Sequence, residues 1–230
     1  MKKYILFTFL SIFVFMSCSN KEDKKFSCDP NIDNWVKSNV STIRYMKRTE
    51  WLKLDESLKK PVYRAFAPKE KHNFWLDKLG EVINLNWTSK EKEHIIVLYN
   101  WVKNNPNFFA DDLNQDSKEF LEAEKFEYEW REKGESELGW SKQIIAAITM
   151  SGNRVLNTQG ELEVVKKTAN GLVRLKTTGL EPGAGQKCEC NRIDDWCGRD
   201  SDCSKNDYCN VYRGCGWFLQ AFCDGMCVPE

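Results

Sequence analysis

The chain has 230 residues, with 34 Lys and Arg against 34 Asp and Glu. Its formal net charge is zero, which excludes a nucleic-acid footprint built on an overall basic excess. The length suits one or two domains, and nine Trp with thirteen Phe supply apolar bulk for a real core. The ten cysteines are placed unevenly: Cys18 and Cys28 come early, none occurs from 29 to 187, and eight fall between Cys188 and Cys227. A shift that sharp predicts a module boundary near residue 188.

Residues 1–17 read as an export signal. Met1-Lys2-Lys3 is a short positive start, residues 4–16 are apolar and uncharged, and the polar stretch Ser19 to Lys25 follows. The apolar run is shorter than the about 20 residues that a membrane-spanning helix needs. Phe15-Met16-Ser17-Cys18 resembles a bacterial lipobox, in which the cysteine is acylated and becomes the mature N-terminus. The expectation is a lipoprotein with Cys18 as the lipidation site and residues 18–28 as a tether; the alternative is an ordinary signal peptide with an incidental cysteine. Several acyl chains give stable anchoring. The expected location is the cell envelope, anchored to a membrane and facing periplasm or exterior, where thiols oxidise and stay oxidised.

From 29 to 150 the pattern predicts a helical domain. Trp35 to Tyr45 and Trp51 to Tyr63 read as two helices divided near Arg48-Thr49, the second closed by Pro61 or a little later. Pro68 suits the first turn of another, in which Trp75, Leu79, Val82 and Ile83 share one face. Thr88-Ser89-Lys90-Glu91 is a capping box ahead of Ile95, Leu98, Tyr99 and Val102, and Asn104-Asn105-Pro106 stops that helix. Asp116-Ser117 with Glu119 starts the next, ended by Gly134, and Ile144, Ile145 and Ile148 mark a shorter one. Residues 151–178 predict a β-hairpin around Asn170-Gly171, a pair that favours positive φ.

Candidate chemistry in this region is thin. His72 and His94 are the only histidines, and both read as packed or surface residues. No HExxH, GxSxG or phosphate-cradling loop appears. The acid pairs Asp111-Asp112 and Asp194-Asp195 read as loop charge. The sequence therefore predicts no enzyme, no catalytic residue, no metal site and no cofactor.

Residues 179–187 read as a linker rich in glycine, and 188–230 as a small disulfide-rich module. At that size a hydrophobic core alone rarely suffices. Cys188, Cys190, Cys197, Cys203, Cys209, Cys215, Cys223 and Cys227 form the expected disulfide framework, with pairing left open. Zinc is the rival, but only Cys223 to Cys227 has the step of a structural zinc site, and the module holds no histidine. Eight acids against four bases make the module acidic, which argues against capture by anionic lipid through this module. Trp217, Phe218, Leu219 and Phe222, within Gly214 to Phe222, are the candidate target-contact patch; the alternative is that these rings build the module's own small core. With Cys18 acylated and eight tail cysteines paired internally, Cys28 is left over, as a free thiol or an intermolecular bridge.

The tail resembles a known family. Cys188 to Cys209 follow C-x-C-x6-C-x5-C-x5-C, with Asp195-Trp196-Cys197 inside and Gly214-Cys215-Gly216 after. This is similar to the bacteriocin fulvocin C and the larger fulvocin C-related proteins, and Ala67 to Lys71 with Trp75 to Leu79 adds a looser likeness. At the end of the tail Cys223 and Cys227 are three residues apart, where the peptide has a one-residue gap. The resemblance implies a mainly α N-terminal region with a small hairpin, then a disulfide-rich tail. It implies an antibacterial precursor or surface-displayed toxin whose active unit is 188–230, with 29–178 as carrier and release in the linker as one route. The alternative is a surface-anchored lipoprotein whose knot is an adhesion or binding tip. The expected partners are an unknown envelope target and the membrane, with no nucleic acid.

Overall fold

The computed structural model describes residues 24–114, 116–177, 189–193, 197, 201–205 and 211–229. Cys18, Cys188, Cys209 and the Asp194-Asp195 pair lie outside them.

Seven helices come first: α1 (Pro30–Ile43), α2 (Arg48–Trp51), α3 (Glu56–Arg64), α4 (Pro68–Ile83), α5 (Ser89–Asn104), α6 (Lys118–Leu138) and α7 (Lys142–Thr149). Their starts follow local chemistry. The Asp29 carboxylate accepts the Asn31 and Ile32 amides, and Pro68 occupies the first turn of α4. Thr88 and Glu91 cap α5 reciprocally, satisfying donors that the first helical turn leaves open. Pro106 ends α5 and opens a 3-10 turn, Pro106–Phe109. The expected break near Arg48 contains the single turn α2, and α3 runs past Pro61 to Arg64.

The sequence places the end of α6 at Gly134, but the helix continues to Leu138 and closes on Gly139 at φ 68°. Gly134 serves packing instead: a Cβ there would lie 3.1 Å from the Trp140 ring. A small antiparallel sheet follows, ordered β1 (Arg154–Val155), β2 (Leu162–Thr168) and β3 (Gly171–Thr177). The expected hairpin is present with its turn shifted by one residue. Thr168 pairs with Gly171 across Ala169-Asn170, so Gly171 alone takes positive φ, at 116°.

The tail forms β4 (Glu189–Cys190), β5 (Ser201–Lys205), β6 (Val211–Cys215), β7 (Ala221–Cys223) and β8 (Gly225–Pro229). One sheet runs β4-β8-β5, and β6 pairs with β7. The chain is thus a mainly α N-terminal region with a small antiparallel sheet, followed by a disulfide-bonded tail.

The core is aromatic. Trp51, Tyr63, Phe66, Phe74 and Trp75 meet edge-on or tilted, with Phe74 touching the other four, an arrangement that aromatic quadrupoles favour. Leu79, Ile95, Leu98, Val102 and Ile148 fill around them. Burial also takes in cations. The Lys78 ammonium, fully enclosed, donates to the carbonyls of Ala147 and Ser151 at the end of α7. Burial pushes it well below the usual lysine range. Arg48 donates to the Gly152 carbonyl at 3.1 Å and pairs with Glu81 at 2.9 Å. Gly152 is backed by Trp51 and Phe74 so closely that any Cβ would enter both rings.

The predicted boundary before the tail is not a packing boundary. Trp217, Phe218 and Leu219 belong to the same buried cluster as the helices.

Gly152→Ala should destabilise the protein by about 1–3 kcal/mol through this overpacking, read as a lower urea midpoint without loss of helical circular dichroism.

Candidate functional site

Of the residues proposed from sequence as a target-contact patch, Trp217, Phe218 and Leu219 form a 3-10 turn at the tip of the β6–β7 ribbon, and Phe222 lies in β7. The Cys215–Cys223 disulfide ties the turn-side end of β6 to the last residue of β7, with Cα atoms 5.3 Å apart. The turn is a wedge driven into the helical layer. Trp217, Phe218 and Leu219 are 2%, 0% and 2% exposed, and only Phe222, at 38%, remains on the surface. This corrects the expectation of an open aromatic patch. The physical reason lies in the tail's own architecture. Its disulfides form two small clusters, one around Cys190, Cys197 and Cys227 and one around Val211, Cys215 and Cys223. Among the described residues these clusters hold sulfur and one valine, and the three large side chains are buried against the helices instead.

Phe218 is the centre of the seat. Its ring lies 4.7 Å from Trp75 and 6.1 Å from both Trp101 and Phe109, centroid to centroid. Trp217 packs edge-on against Trp130 of α6 at 5.5 Å. The backbone concedes to this placement. Phe218 and Leu219 adopt φ 49° and 55°, and Arg213 adopts 60°. These are conformations that bulky residues rarely take. The Trp217 indole N–H is buried without an acceptor among the described residues, a further cost of about 1–3 kcal/mol. Packing must outweigh both.

Polar contacts lock the seat. The Tyr63 hydroxyl donates to the Phe218 carbonyl at 3.0 Å, and it accepts from the Trp75 indole and the Gln220 amide. Burial pushes this phenol above its ordinary range, so it stays a donor. Arg64, at the end of α3, spans three segments. It donates to the Arg213 carbonyl at 2.7 Å, the Phe26 carbonyl at 2.6 Å and the Cys223 sulfur at 3.0 Å. Arg213 in turn reaches the carbonyls of Ala110 and Leu113, beyond the 3-10 turn after α5. Gly214 is required here, since a Cβ at φ 102° would meet the Arg64 side chain.

Cys28 takes part in the same region. It is disulfide-bonded and packs on the Val211, Cys215 and Cys223 cluster, which corrects the expectation of a free thiol or intermolecular bridge. The other described bridges are Cys190–Cys203 and Cys197–Cys227, the latter spanning 30 residues. The sulfurs of Cys190, Cys197 and Cys203 lie within 4.8 Å of one another, yet each is held in a disulfide and offers no thiolate to a metal.

The remaining candidates are structural in their contacts. His94 stacks on Trp130 at 4.7 Å and its Nε2 faces the Trp130 carbonyl at 2.9 Å. Burial lowers its pKa, opposed by that hydrogen bond and reinforced by Lys133. His72 faces the Val102 carbonyl. Asp111 is not idle loop charge: it pairs with Lys71 at 2.6 Å and with Lys24 at 3.4 Å. Burial alone would raise its carboxyl, but the two ammonium groups outweigh it and hold the pKa below the usual value. Burial brings Lys71 down to about 8 despite this partner. No family model, curated protein or solved structure matches the chain.

Two outcomes follow from this geometry. Phe218→Ala should cost about 3–5 kcal/mol, measured by denaturant unfolding under oxidising conditions. Neutral His94 is favoured in the fold, so its contribution is complete above the ordinary histidine pKa of about 6.5. It is lost as pH falls from there toward the depressed folded value. The drop in melting temperature between neutral and mildly acidic pH should be smaller in His94→Asn.

Proposed function

We propose that the chain is an exported, bacteriocin-like protein, held at the cell envelope through an acylated Cys18, that acts as one intact displayed molecule and not through a freed C-terminal peptide. The cysteine ladder from Cys188 to Cys227 and its likeness to fulvocin C support the antibacterial reading. The observation that carries the intact form is the burial of Trp217, Phe218 and Leu219 in the helical core. Cutting the chain in residues 179–187 would leave the tail seated on Tyr63 and Arg64, so cleavage alone does not liberate it.

A second reading is an envelope-anchored binding or adhesion protein without killing activity. It is favoured by the same wedge, because three of the four residues that a target would have met are used up in folding. No catalytic group is assigned in either reading.

Contact competition separates them. Cells displaying the protein should reduce the viability of a related strain, compared with a deletion mutant, and the protein recovered from those cells should still contain residues 188–230. An inhibitory 188–230 peptide free in the medium would overturn the intact form. No inhibition by cells or by the purified oxidised chain, across a broad strain panel, would leave the binding reading.

A further inference from the structure

The β2–β3 hairpin carries a surface that neither the fold nor the proposed function uses. Ten successive residues, 167–176, are exposed. Among them Leu172, Val173 and Leu175 are 56%, 40% and 43% exposed, an unusual concentration of large aliphatic groups for one short ribbon. The same ribbon bears Lys166, Lys167, Arg174 and Lys176 against the single carboxylate of Glu163. That carboxylate lies at the base and is engaged by Arg174 at 3.0 Å and Arg154 at 3.8 Å. The outer half of the hairpin has no acid of its own, and the Asp55 carboxylate that reaches it accepts the Lys167 amide.

Placement leaves one strand of the ribbon outermost. β3 is an edge strand of the β1-β2-β3 sheet. On the other side, the β2 amides of Val165 and Lys167 donate to Glu56 and Asp55 at the start of α3, which ties β2 to the helical layer almost to its turn and leaves β3 on the outside. The register pairs Lys166 with Val173 and Lys167 with Leu172. Paired residues share a face and neighbours alternate, so Lys166, Val173 and Leu175 line one face while Lys167, Leu172, Arg174 and Lys176 line the other. Each face combines aliphatic and basic groups. Lysines alone are a common way to keep an edge strand from pairing; three exposed aliphatic residues beside them do the opposite, unless a surface that is both apolar and anionic covers them.

We propose that this hairpin docks edge-on, through β3, on an anionic lipid surface, with Leu172 from one face and Val173 and Leu175 from the other entering the interface and the basic side chains meeting headgroup phosphates. Charge complementarity identifies the occupant: basic groups near an anionic leaflet are attracted to it, and the aliphatic groups gain by leaving water. The inference stands apart from the proposed function and from acylation of Cys18, because the test contains no acyl chain.

The chain lacking residues 1–18, oxidised and otherwise whole, should co-sediment with phosphatidylglycerol–phosphatidylcholine vesicles, more weakly at high salt, and should stay in solution with phosphatidylcholine alone. The double variants Leu172→Asn with Leu175→Asn, and Lys167→Gln with Lys176→Gln, should each lower partitioning roughly tenfold or more while leaving the melting temperature unchanged. Failure to bind the anionic vesicles overturns the proposal, and so does binding that both double variants leave intact, which would put the lipid contact elsewhere.

Discussion

The structure depends on one apolar insertion: Phe218, at the tip of a disulfide-closed ribbon, fills the space between Trp75, Trp101, Phe108 and Phe109. Each of those rings comes from the helical layer, so without the tail the layer has a hole at its centre. The tail leans on the layer in turn, since among the described residues its own clusters consist of little more than sulfur and one valine. Covalent bridges and burial divide the work here. The bridges shape the ribbon and restrict the unfolded chain, while the aromatic seat provides the contact area that so small a segment cannot find within itself.

Buried charge follows the same division. Arg64, Arg48, Lys59, Lys71 and Lys78 are nearly inaccessible to water, and each is spent on carbonyls, a side-chain amide, a sulfur or a single carboxylate at a junction between segments. Arg64 joins the N-terminal segment at Phe26 to α3 and to the tail. Lys78 closes the carboxyl end of α7. Lys71 holds Asp111, in the loop beyond the 3-10 turn. Buried cations of this kind are strongly destabilising to break because the survivor is left unpaired, which makes them markers of a fixed arrangement.

Much of the helical layer was legible because helix starts are local. Thr88 with Glu91, Pro68, and Ser117 act on amides a few residues away, and apolar periodicity names the inward face. The hairpin was legible for the same reason, and its turn was misplaced by one because Asn170 keeps negative φ and leaves Gly171 to bend the chain. The fate of Trp217 to Leu219 was not legible. Cysteine density suggested a self-sufficient knot, and nothing in local spacing says that residue 218 will meet residues 75 and 101. The burial of Lys59, Lys71, Lys78 and Arg64 leaves no mark in the sequence, since a buried lysine has the same letter as a solvated one. Cys28 was misjudged because its role comes from a neighbour distant in sequence.

The hydrogen bond from Tyr63 to Phe218 joins residues 155 positions apart. A polypeptide made from its N-terminus delivers residue 218 long after residue 63. The helices therefore emerge with an unfilled aromatic socket, and the turn Trp217–Leu219 acts as the stopper. Folding of this protein is in that sense a late closing event, gated by the arrival of the ribbon and by sulfur oxidation, and long-range closures of this type are slow and exposed to aggregation. The cell that makes this chain must shelter a half-built core for as long as the far end takes to arrive.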